Sequence, residues 1–400
     1  MSHPLRVATV ITRLDGGAGV LALRGALALD PREFAPVLIT GDVPGTGDRL
    51  VDQAKVEGLE VIVEPALRAP IDPRRDAVAL RSLSALMRER PFDVVHTHTA
   101  KAGALGRISA RRAAVPRVVH TYHGFPFHEF QSPLRRAGYV AVERRLGRLT
   151  DVALCVGTGV AVEAIRRGLV PPERIRTIGV VVPDEPPPAA DARDRARRML
   201  GIPPDATVVG AVGRLTYQKA PEDFIAAIRQ LGRLRGLSPL PGSGGPAAAG
   251  GPDRPELIGV WVGDGELAGR VARLAGSAPG PRVVLGGDRT DIPEILPAFD
   301  VFALPSRYEG LPTAVVEAMA CGIPVVATAV NAVGDVVVPG ETGLLVPPQR
   351  PDLLAKAINC LLDSPDAAKR MAAAARERLG TRFSAATLST ALAAAYTGEP

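Results

Sequence analysis

Short apolar runs alternate with longer segments of helical periodicity along nearly the whole chain. In the first half, Arg6–Thr12, Ala35–Thr40, Leu59–Val63, Val94–His98, Arg117–Thr121, Asp151–Val156 and Arg176–Val182 predict strands. Val20–Leu29, Ala77–Glu89 and Ser132–Leu149 predict helices between them. Strand and helix in alternation imply a parallel sheet wrapped by helices, an α/β fold. The pattern breaks at Pro183, where Asp-Glu-Pro-Pro-Pro follows. A proline run continues neither sheet nor helix and reads as a stiff connector. It then restarts, with strands at Val208–Val212, Leu257–Val262, Val283–Leu285, Val301–Leu304 and Pro324–Ala329 and a turn and strand over Gly340–Val346. Pro221–Leu231, Leu353–Leu362 and Ala367–Leu379 predict helices. Two α/β domains are therefore expected, 1–182 and 196–380, joined by a linker over 183–195. Ser238–Pro255, rich in Gly, Pro, Ala and Ser, reads as a surface insertion without chemistry.

Composition narrows the classes. Apolar content is globular, and the net charge of +6 over 400 residues permits contact with phosphates or an anionic surface without requiring it. No nucleic-acid partner is indicated. The three cysteines, Cys155, Cys321 and Cys360, are far apart in apolar contexts and read as buried free thiols in a reducing cytoplasm. No basic leader with a long apolar run opens the chain, and no run is long enough to span a membrane.

The densest chemistry lies in Leu304–Pro324, LPSRYEGLPTAVVEAMACGIP. A strand runs into Glu309-Gly310-Leu311-Pro312 and then an alanine-rich helix. The first N–H groups of a helix have no intrahelical partner, and its dipole adds positive charge there, which suits a phosphate. Glu309 and Glu317, with seven residues between them, flank that seat, and carboxylates accept hydrogen bonds from hydroxyls. A phosphate flanked by polyols describes a nucleotide sugar; a cap and a solvated glutamate are the plain alternative. Arg214 and Lys219 follow the strand Val208–Val212 and would suit a diphosphate, or be two solvated charges. Gly16-Gly17-Ala18-Gly19 follows the first strand without forming the dinucleotide fingerprint, which argues against a nicotinamide dehydrogenase. His96, His98 and His123 lack a carboxylate or cysteine to complete a metal set and otherwise read as histidines bonded to backbone. Ser132–Leu149 interleaves five arginines with Leu134, Tyr139, Val140, Val142, Leu146 and Leu149. This is a basic amphipathic helix that packs on its domain, with docking on anionic lipid as the functional option.

The Ser-x-x-Glu-Gly-x-Pro lead, the Glu…Glu spacing and the Glu-Ala-Met-Ala-x-Gly-x-Pro-Val-Val-Ala tail resemble the donor signature of glycosyltransferase family 4. His96-Thr-His-x-x-Lys-Ala-Gly103, His120-Thr-x-His-Gly-Phe125 and Val212-Gly-Arg-Leu…Lys219 resemble further family motifs, and the likeness runs nearly end to end. The resemblance implies the GT-B architecture, two Rossmann-like domains facing across a cleft, with the tail from about 381 returning to the first domain. It implies catalytic roles for Glu309 on the transferred sugar and His123 opposite it. It places Arg214, Lys219 and Gly310-Leu311 on the diphosphate, Glu317 on the ribose, Arg289 by the base and Gly16 and Gly17 near the reacting sugar. Lys101 would touch acceptor or phosphate. It further implies a retaining transfer, front-face attack, a UDP-sugar donor, no metal and no cofactor. The acceptor would be a hydroxyl of a lipid-linked saccharide, polysaccharide precursor or small molecule. Such an enzyme would be cytoplasmic, with peripheral contact at the inner membrane face as an option. Two departures stand out. Gly19 occupies a position where the family often has glutamate, and Val181 follows Gly179-Val180 where it usually has aspartate. Rival readings are a UDP-N-acetylglucosamine 2-epimerase of the same architecture and a non-catalytic nucleotide-sugar-binding protein.

Overall fold

A computed structural model describes residues 3–41, 49–179, 188–236, 255–277 and 280–398, with Arg49, Thr381 and Arg382 as backbone alone. The expected linker residues 183–187, nearly all of the 238–255 insertion, and Val180 and Val181 lie outside the described residues. The chain divides into two compact units, Met1–Pro183 with Arg382–Pro400, and Asp184–Thr381.

The first unit holds β1 (Leu5–Ile11), β2 (Phe34–Gly41), β3 (Glu60–Glu64), β4 (Val94–His98), β5 (Arg117–Tyr122), β6 (Val152–Cys155) and β7 (Ile175–Thr177). Its described strands form one sheet in the order β3-β2-β1-β4-β5-β6-β7, every pair parallel. The second unit holds β8 (Thr207–Val212), β9 (Leu257–Val262), β10 (Arg282–Leu285), β11 (Val301–Leu304), β12 (Val325–Thr328) and β13 (Leu344–Val346). They run β10-β9-β8-β11-β12-β13, again all parallel. Parallel strands are covered on both faces, so they read as continuous apolar runs. β4 and β9 are buried along their whole length. Order reverses between β1 and β4, and between β8 and β11. Ligands of open α/β sheets bind outside the carboxyl ends at such reversals.

One short sequence device fixes these pairs from the far edge. Asp93 precedes β4, and its carboxylate accepts the Arg6 backbone N–H of β1 at 2.8 Å. Asp151 does the same ahead of β6, accepting the Val118 N–H of β5 at 2.8 Å. Asp300, ahead of β11, accepts the Val208 N–H of β8 at 2.7 Å. Each aspartate thus satisfies the N–H of a strand's second residue. Asp300 also holds Arg197, whose side chain is 1% exposed, at 3.1 Å. In the first unit the fully buried Arg107 reaches Glu143 at 3.0 Å, and Tyr122 donates to the same carboxylate oxygen at 3.3 Å.

The structure corrects several expected boundaries. The first helix spans Gly16–Leu27, so the glycine run is its first turn and the loop after β1 is confined to residues 12–15. Gly19 donates to the Asp15 carbonyl at 3.0 Å, and a Cβ there would lie 2.7 Å from the Leu14 carbonyl carbon. Close packing therefore fills this position with glycine and excludes a glutamate. Residues 192–195, expected as linker, open the helix Ala192–Leu200. Helices Arg49–Val56 and Thr158–Arg166 were not legible from periodicity. The basic helix is Pro133–Gly147, capped by Ser132, and it buries Val140, Glu143, Leu146 and Gly147. Leu134 is 85% and Val142 50% exposed, so its apolar residues occupy both faces and form no single stripe. Of the three free cysteines only Cys155 is buried; Cys360 is exposed. The final helix, Ala385–Thr397, belongs to the first unit, where Arg117 donates to the Ala395 carbonyl at 2.5 Å.

Removing Asp300 strands a buried guanidinium, whereas removing Asp93 costs one exposed hydrogen bond. Asp300→Ala should lower stability by about 3–5 kcal/mol and Asp93→Ala by about 1 kcal/mol. Urea unfolding followed by circular dichroism checks this, and equal losses would refute it.

Candidate functional site

In the second unit, the candidate residues leave the carboxyl ends of β8 and β11, the two strands of the order reversal. Glu309 is 7% exposed. Its Oε1 lies 2.6 Å from Lys219 Nζ and accepts from Ser306 Oγ at 2.5 Å. Its Oε2 accepts from Gln218 Nε2 at 3.3 Å, and its backbone N–H donates to Asn331 Oδ1 at 3.1 Å. The loops after β8 and β11 are tied again by Arg307. Its N–H donates to the Gln218 carbonyl at 2.8 Å, and its guanidinium lies 4.2 Å from the Tyr217 ring centre. Thr328, at the end of β12, donates to the Ser306 carbonyl at 2.6 Å. Three consecutive strand ends are thus knitted into one polar platform. A buried carboxylate must be paired and hydrogen-bonded, which these partners achieve.

Arg214 leads the β8 loop and is exposed. Its charge opposes the burial that raises the Tyr308 pKa. Gly310 and Leu311 follow Glu309, and the helix begins at Thr313 with Pro312 as its cap. Glu317 is half-buried in that helix. Arg289 follows β10 and forms a two-pronged pair with Asp291 at 2.9 and 2.5 Å. The structure therefore brings Lys219 and Glu309 into contact and places Arg289 two strands away from β8.

In the first unit, β4 and β5 carry His96, His98 and His120 into the interior, and the half-buried His123 follows β5. His96 is bonded at both nitrogens, Nδ1 to the Tyr396 hydroxyl and Nε2 to Thr121 Oγ1, each at 2.7 Å. His120 Nδ1 meets Thr97 Oγ1 at 2.8 Å. His98 Nδ1 lies 2.9 Å from Nε2 of His123, which follows β5. These partners are side chains, which corrects the expectation of backbone bonding. Gly103 is required by this packing, since a Cβ there would lie 2.5 Å from the His120 ring. Burial pulls the pKa of His96 down to about 3 and that of His123 to about 4, and holds His98 and His120 well below the usual range. Among the described residues, no three His, Cys, Asp or Glu side chains gather as a metal-binding group.

Gly16, with φ +57°, and Gly17 open the helix after β1. Lys101 follows β4 and is committed locally, to Asp76 at 2.7 Å and to the Pro70 carbonyl. Thr99 just before it has φ +63°, rare for a β-branched residue, and its hydroxyl meets Thr12 Oγ1 at 2.9 Å. Sequence reasoning missed Thr12, Thr99, Gln218 and Asn331, because each acts through a partner far along the chain.

Comparison with known proteins agrees with this geometry. Residues 15–185 match Glycosyltransferase Family 4, and residues 192–378 match Glycosyl transferases group 1. The chain is 31% identical to the D-inositol 3-phosphate glycosyltransferase of Mycobacterium marinum, over 95% of this chain and 81% of that enzyme. It is 34% identical to the Escherichia coli UDP-Gal:alpha-D-GlcNAc-diphosphoundecaprenol alpha-1,3-galactosyltransferase, over 67% of this chain and 65% of that enzyme's length. Among solved structures, Anabaena Alr3699/HepE in complex with UDP and glucose superposes with a TM-score of 0.75 at 22% identity, covering 98% of this chain and 100% of the other. Sucrose-phosphate synthase of Thermosynechococcus elongatus gives 0.76 at 22% identity, covering 98% of each chain. These likenesses establish the GT-B fold. Among the described residues, no helix is long and apolar enough to cross a membrane.

The histidines give stability a pH dependence of known sign. The unfolded chain takes up protons near pH 6.5, and the folded His123 does so only near its lowered value of about 4. The stability gained by keeping these rings neutral is complete above about pH 6.5 and is lost as pH falls towards 4. The melting temperature should fall between about pH 7 and 5, less steeply in His120→Asn. Differential scanning fluorimetry tests this, and a flat profile would contradict it.

Proposed function

This chain belongs to glycosyltransferase family 4, and we propose that it transfers a sugar, with retention, from a UDP-sugar to an acceptor hydroxyl. The Lys219–Glu309 contact at the β8/β11 reversal carries this reading. One end of that pair is a cation for the departing diphosphate, and the other is a carboxylate for the sugar's hydroxyls. Arg214 adds a second, exposed cation on the same loop. The helix Thr313–Ala320 contributes its positive end, two residues beyond Gly310-Leu311. Negative charge grows on the diphosphate as the glycosidic bond breaks, and fixed cations stabilise it most at that moment. In this reading no metal is needed for that step. Glu317 holds the ribose, Arg289 binds the base and His123 serves the transferred sugar. Gly16 and Gly17 allow close approach of the donor, and Lys101 serves the acceptor. UDP as the carrier is supported by the UDP-Gal named for the E. coli relative. Acceptors named for relatives include a diphosphoundecaprenol-linked sugar and an inositol phosphate. The acceptor class proposed here is accordingly a lipid-linked saccharide, a polysaccharide precursor or a small molecule.

Contact with an anionic membrane is part of the same proposal. The exposed face of the Pro133–Gly147 helix presents Leu134, Val142 and Arg145. Apolar residues beside arginines suit a lipid surface carrying negative charge.

With UDP-sugars and acceptor, UDP should be released only when acceptor is present, and EDTA should leave the rate unchanged. Isomerised donor without transfer would indicate an epimerase instead. Lys219→Ala and Glu309→Ala should each cut turnover by about 100-fold or more; wild-type rates in both would sink the site assignment. Leu134→Glu with Arg145→Glu should abolish co-sedimentation with anionic vesicles, and failure of the wild type to sediment would refute membrane contact.

A further inference from the structure

We propose that His98 is a positioning residue, donating its Nδ1–H to Nε2 of His123 and thereby holding the His123 ring in its Nδ1–H tautomer. His98 is 2% exposed, and its Nδ1 stands 2.9 Å from His123 Nε2. One nitrogen of that contact must carry the proton, and the other nitrogen of His98 decides which. His98 Nε2 is buried and has no hydrogen-bond partner. His98 lines a narrow cavity whose walls are mainly apolar, Leu21, Ala22, Ile178 and Leu392 among them, with Thr9 and Tyr396 also on it. A buried N–H without an acceptor is rarer and costlier than an unused lone pair. The proton of His98 therefore sits on Nδ1, where it finds an acceptor in His123. Nε2 of His123 is then the lone-pair nitrogen, and its own proton is on Nδ1.

The donor itself is held firmly. The His98 ring packs on His96 with centroids 4.2 Å apart, and His96 is tied at both nitrogens, to Thr121 and to Tyr396 of the final helix. Rotation of His98 would break the contact to His123 without giving Nε2 a partner. His123 thus presents a directed N–H donor at Nδ1, the form that serves a sugar oxygen. This last step rests on the reading of His123 as the sugar-contacting residue. The tautomer does not.

The test joins spectroscopy to kinetics on the full chain. Long-range 15N–1H correlation on 15N-histidine-labelled protein reports the tautomer of each of the six histidines. His123 should show the Nδ1–H pattern in the wild type. It should keep that pattern in His98→Asn, whose amide N–H stands near the place of Nδ1. It should lose the pattern in His98→Leu and in His98→Gln, whose amide reaches further out. With an active donor and acceptor pair, His98→Leu and His98→Gln should lower kcat by about 10- to 100-fold with donor KM within about threefold, and His98→Asn should recover most of the loss. An Nε2–H pattern for His123 in the wild type overturns the proposal, as does equal kcat in the Asn and Gln variants. Absence of turnover with every donor would count against the proposed function, and the correlation spectrum would still decide the tautomer.

Discussion

Where strand order reverses, two loops leave the same sheet edge in opposite directions and open a crevice between them. The pairs β1/β4 and β8/β11 carry that constraint, and most of the polar chemistry described above gathers at their carboxyl ends. Such a crevice is useful only if the two strands keep their register. Asp93 and Asp300 hold it from the opposite edge, each bonding the N–H of the second residue of the strand across the reversal. The aligned residues, Val7 with Val94 and Val301 with Val209, sit one or two positions further on. Support at one end of the sheet thus fixes spacing at the other.

At the β8/β11 crevice the loops are locked by charge. Lys219 and Glu309 side chains are 16% and 4% exposed, so their desolvation must be offset by close contact and further hydrogen bonds. Ser306 and Gln218 supply those bonds to the carboxylate. The consequence is preorganisation. Neither loop can shift without leaving a buried charge unpaired, so the cation and the acceptor oxygens are in place before any ligand arrives. The first unit solves a related problem without charge. Its central strands β4 and β5 bring three imidazoles inside, and burial keeps them neutral. Neutral rings need partners of either polarity, and hydroxyls of Thr97, Thr121 and Tyr396 provide them because a hydroxyl both donates and accepts.

The strand pattern was legible because parallel strands buried on both faces leave apolar runs that nothing else in the chain imitates. β4, β9 and β11 fall where the runs predict them. The pairing of a carboxylate with a cation across β8 and β11 was legible only as separate motifs, since the ninety-position separation of Lys219 and Glu309 hides their contact. Helix starts were less legible. Gly16-Gly17-Ala18-Gly19 reads as a loop by propensity, yet it is helical, and the close approach of the Leu14 backbone accounts for the glycine at 19. A steric need for glycine thus masks a helix start. The bond from His96 to Tyr396 spans 300 residues, and no local signal marks either partner for the other.

That long-range bond changes how the end of the chain should be understood. The final helix does more than cover apolar surface on the first unit. It places Tyr396 against β4, next to the ring that packs on His98. Loss of this helix would leave His96 Nδ1 buried without a partner and free the ring on which His98 rests. A terminal segment is ordinarily the most expendable part of a domain. Here its last turn is coupled through two imidazoles in contact, His96 and His98, to His123, the residue the proposed chemistry assigns to the sugar.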